Sequence, residues 1–103
     1  MNHATFASHM GFSTWDDLLR ASECIAFEPG RAWYVTETNT WYKWVVWNTN
    51  YDMYYNHKTR EDALKSMKWL FDELHIHISA WCAPEVYDRI QSIFMGQMSN
   101  SVR

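Results

Sequence analysis

The segment Trp41-Tyr42-Lys43-Trp44-Val45-Val46-Trp47, followed by Tyr51, Tyr54 and Tyr55, decides how this chain is read. Its density of aromatic and β-branched residues is that of a strand. Successive side chains of a strand point to opposite faces, so Trp41, Lys43, Val45 and Trp47 share one side and Tyr42, Trp44 and Val46 the other. Both sides carry aromatics. That is too many for a sheet with a single buried face, so one face must meet aromatic partners outside the ordinary core.

Upstream, Ala32 to Thr38 is a second strand-like run, joined to the first by Thr38-Asn39, where Asn tolerates positive φ. A two-residue loop there sets Thr36 opposite Trp41, Val35 opposite Tyr42, Tyr34 opposite Lys43 and Trp33 opposite Trp44. Downstream, a turn at Thr49-Asn50 leads into a third strand from Tyr51 to Asn56. The expected core face then carries Trp33, Val35, Tyr42, Trp44, Val46, Met53 and Tyr55. Tyr34, Thr36, Trp41, Lys43, Val45, Trp47, Asp52 and Tyr54 fall on the other face, whose charges mark it as the more exposed.

Helices flank these strands. Ser13-Thr14-Trp15-Asp16 has the form of a helix start, with Ser13 as cap, and predicts a short helix over 14–24 before a loop at Pro29-Gly30. Thr59-Arg60-Glu61-Asp62 opens the strongest helix, running to about Leu74 with Ala63, Leu64, Met67, Leu70, Phe71 and Leu74 in one apolar stripe. Trp69 lies nearly opposite Met67 and is either covered by another helix or left for a partner. Residues 75–80 read as a short strand or loop. Ala83-Pro84-Glu85 starts a last helix with Val86, Tyr87, Ile90, Ile93 and Phe94 as its apolar face, and residues 97–103 read as a frayed tail. The expected fold is α+β: a three-stranded antiparallel meander with helices packed on one face, in the order α-β-β-β-α-α.

At 103 residues the chain has the size of one domain, 1–103. Residues 1–12 are expected to be loosely ordered; Ser8-His9-Met10 has the form of a cloning scar and equally of a native, loosely ordered terminus, and the first nine residues receive no functional weight. Hydrophobic residues make up 48% and aromatics 17%, which excludes intrinsic disorder of the whole. A formal charge of -3 argues against general affinity for a nucleic-acid backbone. No apolar run approaches the ~20 residues of a membrane span, and the first twelve residues lack the basic start and apolar run of a secretory signal. Cys24 and Cys82 read as reduced thiols of a cytoplasmic protein.

Chemistry has little to stand on. A glycine-rich phosphate loop, a Gly-x-Ser-x-Gly elbow and a histidine-zinc helix motif are all missing, and adjacent Asp16 and Asp17 diverge on their helix, so no catalytic residues are assigned. His75, His77 and Cys82, with Cys24 and His57 elsewhere, are metal-capable but lack the paired knuckles of structural zinc sites. His75 and His77, near a helix end, read as polar cap or surface groups, and no metal or cofactor is expected. The residues assigned to partner binding are Tyr34, Trp41, Lys43, Trp47, Tyr54 and Trp69. Three readings stay open for the aromatic face: a protein interface, including a second copy of the chain; cover by the chain's own helices or N-terminal segment; and base stacking, which the acidic balance disfavours.

The helix, meander and following helix resemble, in outline over residues 13 to 75, the double-stranded RNA-binding domain. His57-Lys58-Thr59-Arg60-Glu61-Asp62-Ala63 stands where that domain begins its basic second helix, but Glu61 and Asp62 put negative charge where the family has lysines against phosphate. In size, acidity, aromatic content and want of catalytic motifs the chain is also similar to the small anti-CRISPR inhibitors of phages and other mobile elements. That resemblance implies a protein that occupies a nucleic-acid-binding or assembly surface of its target by shape and charge.

Overall fold

The computed structural model describes residues 1–82, 85, 86, 88–90 and 92. It is α+β, with one four-stranded antiparallel sheet in the spatial order β1-β2-β3-β4, built from Ser22–Glu28, Arg31–Glu37, Trp44–Asn48 and Met53–His57. Two short helices precede it, α1 (His3–His9) and α2 (Trp15–Arg20), and α3 (Arg60–Glu73) follows, then a single 3-10 turn at Ile78–Ala80. Residues 85, 86, 88–90 and 92 are helical, with Ile90 buried. Tyr87, Ile93, Phe94 and residues 97–103 lie outside the described residues. Among the described residues, no helix is long and apolar enough to cross a membrane.

The sheet has four strands rather than three, because the expected 14–24 helix stops at Arg20 and Ser22–Glu28 pairs with β2. Thr14 rather than Ser13 caps α2, its side chain accepting the Asp17 amide at 3.0 Å. Pro29-Gly30 is the two-residue turn of the first hairpin, setting Glu28 opposite Arg31. Proline is confined to negative φ, so the left-handed position falls on Gly30 at φ 80. A bulge between Cys24 and Ala26 gives β1 an extra residue, and both Ile25 and Ala26 are buried.

Helices cover both faces, not one. On the first, Trp33, Val35 and Val46 pack with Ile25, Ala63, Leu64, Met67, Phe71, Trp81 and Ile90, and Trp44 lies half-buried against them. The long helix is therefore where its periodicity placed it, with Thr59 capping through the Asp62 amide at 3.1 Å, although Leu74 at its end is exposed. On the second face Phe6, Ala7, Met10, Leu18, Val45 and Trp47 form another core, joined by Trp15, Tyr34, Tyr42 and Met53. The N-terminal segment expected to be loose is the lid of this core. Asn2 caps α1 by accepting the Thr5 amide at 2.8 Å, and Phe6 and Met10 are fully buried.

Register explains which face assignments survive. Thr36 pairs with Val45 and Tyr34 with Trp47, a slip of four residues from the two-residue loop, because residues 38–43 form a longer connection. An even slip keeps every side chain on its face. Trp44 and Val46 accordingly remain with the first core, and Val45 and Trp47 stay opposite. In the next hairpin Trp47 pairs with Met53 and Val46 with Tyr54, one residue off the expected turn. An odd slip inverts the strand. Met53 therefore joins the second core, while Tyr54 stacks at 6.3 Å from Trp33 on the α3 side.

Candidate interaction surface

The connection between β2 and β3 is held by threonine hydroxyls. Thr38 donates from Oγ1 to the Lys43 carbonyl at 2.9 Å and from its amide to the same oxygen at 2.8 Å. Its single hydroxyl proton is then committed, so Thr40 Oγ1 donates to Thr38 Oγ1 at 2.8 Å and in turn accepts the Tyr42 amide at 3.2 Å. Lys43 ends the loop in the left-handed region at φ 59. α1 braces it from outside: Tyr42 Oη meets His9 Nε2 at 2.8 Å, and Gly11, at φ 90, lies so close to Thr40 that a Cβ would come within 2.9 Å of its Cγ2.

This loop presents Trp41 with 64% of its surface exposed. The Trp41 ring lies 4.5 Å from Tyr42 and 5.4 Å, edge on, from Tyr55, and Tyr42 and Tyr55 meet at 4.8 Å. Tyr55 reaches the group because β4 bulges: Trp44 pairs with His57 and Val46 with Tyr54, leaving Tyr55 and Asn56 against one residue of β3. Asn56 takes φ 68 there and its amide donates to the Tyr42 carbonyl at 2.6 Å. Exposed Lys43 adjoins this group in sequence.

The six residues assigned from sequence do not form one surface. Trp41 and Lys43 belong to the loop. Trp69 is 67% exposed on the outer side of α3, across the sheet from α1 and α2, and Tyr54 lies exposed on the β4 edge toward α3. Tyr34 is half-buried and stacked on Trp47 at 4.6 Å, and Trp47 has no exposed surface. The correction follows from α1 and α2 covering that face. Tyr55, expected in the core, joins the exposed group instead, and Tyr42, expected in the same core, is half-buried against the second core with its ring beside Trp41; the paired threonines at 38 and 40 are the signal that residues 38–43 form a loop.

Trp47 organises the second core. Phe6 lies 5.4 Å and Trp15 5.6 Å from its ring. Its Nε1 donates to Thr36 Oγ1 at 2.8 Å, and Ser22 Oγ donates to the Leu18 carbonyl at 2.6 Å. Ser22 and Thr36 also share a hydrogen bond. The Ser22 proton goes to Leu18, so Thr36 is the donor between them. The chain Trp47 to Thr36 to Ser22 to Leu18 runs one way and ties the sheet to α2.

His57 lies half-buried opposite Trp44, and its Nε2 is buried without a hydrogen-bond partner. Burial holds its pKa below 6.5, against the opposing pull of a hydrogen bond to the Tyr54 backbone and the charge of Asp62. The folded protein thus refuses a proton that the unfolded chain accepts. Stability is full above the unfolded value of 6.5 and falls as pH drops through it toward the lower folded value. Urea midpoints measured on either side of that value should show this loss in the parent and a flatter profile in His57→Gln; equal slopes would contradict it.

Among the described residues, no three His, Cys, Asp or Glu side chains are grouped so as to hold a metal ion. His77 Nδ1 accepts the Ser79 amide at 3.1 Å, and Cys82 lies beside Cys24 rather than beside the histidines. No protein-family model, curated protein or solved structure matches the chain.

Proposed function

We propose that this chain is a non-enzymatic protein-binding module whose contact surface centres on Trp41 and Tyr55, flanked by Tyr42 and Lys43. The observation that carries it is Trp41, a large aromatic held out in solvent by a connection whose threonines and left-handed Lys43 fix its backbone. Tryptophan and tyrosine dominate interface hot spots, and a surface already ordered loses less entropy on binding. The formal charge of -3 favours a protein partner over a nucleic-acid backbone. The narrower proposal, an inhibitor from a mobile element that blocks a nucleic-acid-handling complex, rests on the resemblance in size, charge and aromatic content to anti-CRISPR proteins.

Trp41→Ala should weaken binding of a partner identified by affinity capture at least about 30-fold, the effect of one hot-spot residue. Thermal unfolding of the variant should match the parent, since Trp41 buries little. Unchanged affinity, or retention of short oligonucleotides at low salt with no protein partner, would overturn the proposal.

A further inference from the structure

We propose that Cys24 and Cys82 are a thiol–disulfide pair, closed by a low-molecular-weight disulfide, that fastens the segment after the 3-10 turn to the edge of β1. The two sulfurs lie 3.6 Å apart although the residues are separated by 58 positions. Both thiols are free.

The backbone brings them together. Trp81 forms an antiparallel bridge with Ala26, and the Cys82 amide donates to the Ile25 carbonyl at 2.7 Å. Residues 81 and 82 thus dock by a single bridge on the sheet edge that β1 leaves open. Alternation turns Trp81 into the first core and Cys82 to the other side, where Cys24 stands opposite Tyr34. The bulge in β1 contributes directly: it lets Ile25 and Ala26 both serve the core while Cys24 stays on the Tyr34 side. The pair bridges adjacent extended segments, so closure requires the sulfurs to approach without unfolding either one.

The thiols have different roles. Cys82 is exposed and meets the reagent, whereas Cys24 is half-buried. Burial first, then the hydrogen bond and charge of Cys82, push the Cys24 thiol up to about 12, so Cys24 does not attack first. The Cys82 thiolate attacks one sulfur of the reagent, the reagent's own bond breaks, and one small thiolate leaves with the electron pair. Capping Cys82 removes both of its contributions to the raised Cys24 value. Cys24 then yields its proton to solvent and attacks Cys82 Sγ, expelling the second small thiolate. Two protein thiols are oxidised to one disulfide, and one small disulfide is reduced to two thiols.

The test uses the full chain with oxidised glutathione. The expected product has lost the mass of two hydrogen atoms, shows a Cys24–Cys82 link in a non-reducing peptide map, and unfolds at a temperature higher by on the order of 10 °C than the reduced protein. Closure should be roughly tenfold or more faster in the folded chain than in urea, because the sulfurs are already juxtaposed. Cys82→Ser, at an exposed position, should lose both link and shift. A product that stops at glutathione on Cys82, a link only between two chains, or closure no faster folded than unfolded would overturn the proposal.

Discussion

Replacing Trp47 with alanine is expected to destabilise the fold by about 3 to 5 kcal/mol, the cost of emptying a large aromatic site in a packed core. The indole is fully buried, with Phe6, Trp15 and Tyr34 in ring contact. The substitution also leaves Thr36 Oγ1 without the Nε1 donor at its 2.8 Å. Trp41, six positions earlier in the same aromatic run, should cost no more than about 0.5 kcal/mol, as exposed positions do. Urea denaturation of the two single variants gives the contrast. A Trp47→Ala loss below about 1 kcal/mol would mean that α1 and α2 do not hold the second core closed.

Deleting residues 1–10 should have an effect at least as large. The deletion takes Phe6, Ala7 and Met10 from the second core, all fully buried. Phe6 and Met10 together account for about 3 to 6 kcal/mol of burial at the usual 1.5 to 3 per large side chain. A domain of this size has roughly 5 to 15 kcal/mol of stability in total. Deletion further uncovers Trp47 and removes His3, whose ring stacks on Trp15 at 3.9 Å. The expected result is loss of a cooperative thermal transition and of near-ultraviolet circular dichroism. A shortened chain that unfolds at the parent temperature would show α1 to be an appendage. Whatever the form of Ser8-His9-Met10 suggests, Met10 fills the core.

The elements legible in sequence are those whose signal is local and repeated. α3 carries its stripe over four turns and an explicit Thr59 cap, and its position follows from that alone. β2 and β3 announce themselves by aromatic and β-branched density. α1 is seven residues, His-Ala-Thr-Phe-Ala-Ser-His, too short to be stable by itself and held by what Phe6 buries against; no periodicity over so short a span reveals it. β1 mixes helix-compatible Glu and Ala with Cys24, Ile25 and Phe27, and its bulge breaks the alternation by which a strand is recognised.

Of the candidate surface, Trp41 and Lys43 are legible in the sequence. Trp41 is exposed as expected, but as the tip of a loop rather than a member of a strand face. Tyr55 was hidden because the bulge at Asn56 and the odd register slip depend on turn lengths that composition leaves open. Trp47 differs from its expected place for a plainer reason: the charges that mark its face as exposed are not its neighbours, since Lys43 lies in the loop and Asp52 between β3 and β4.

Strand β3 is a middle strand between two helical layers, and Val45, Val46, Trp47 and Asn48 are all buried. For variation in this chain the consequence is an asymmetry of freedom. Every substitution in that stretch trades one buried side chain for another and is constrained by volume, so the stretch cannot vary without repacking a core. The neighbouring segments 38–43 and 53–57 differ: their course is fixed largely by main-chain hydrogen bonds and the hydroxyls of Thr38 and Thr40, while Trp41, Lys43, Tyr54 and Tyr55 face outward. Substitutions at those four positions can change the chemistry of the surface while the buried stretch from Val45 to Asn48 stays as it is.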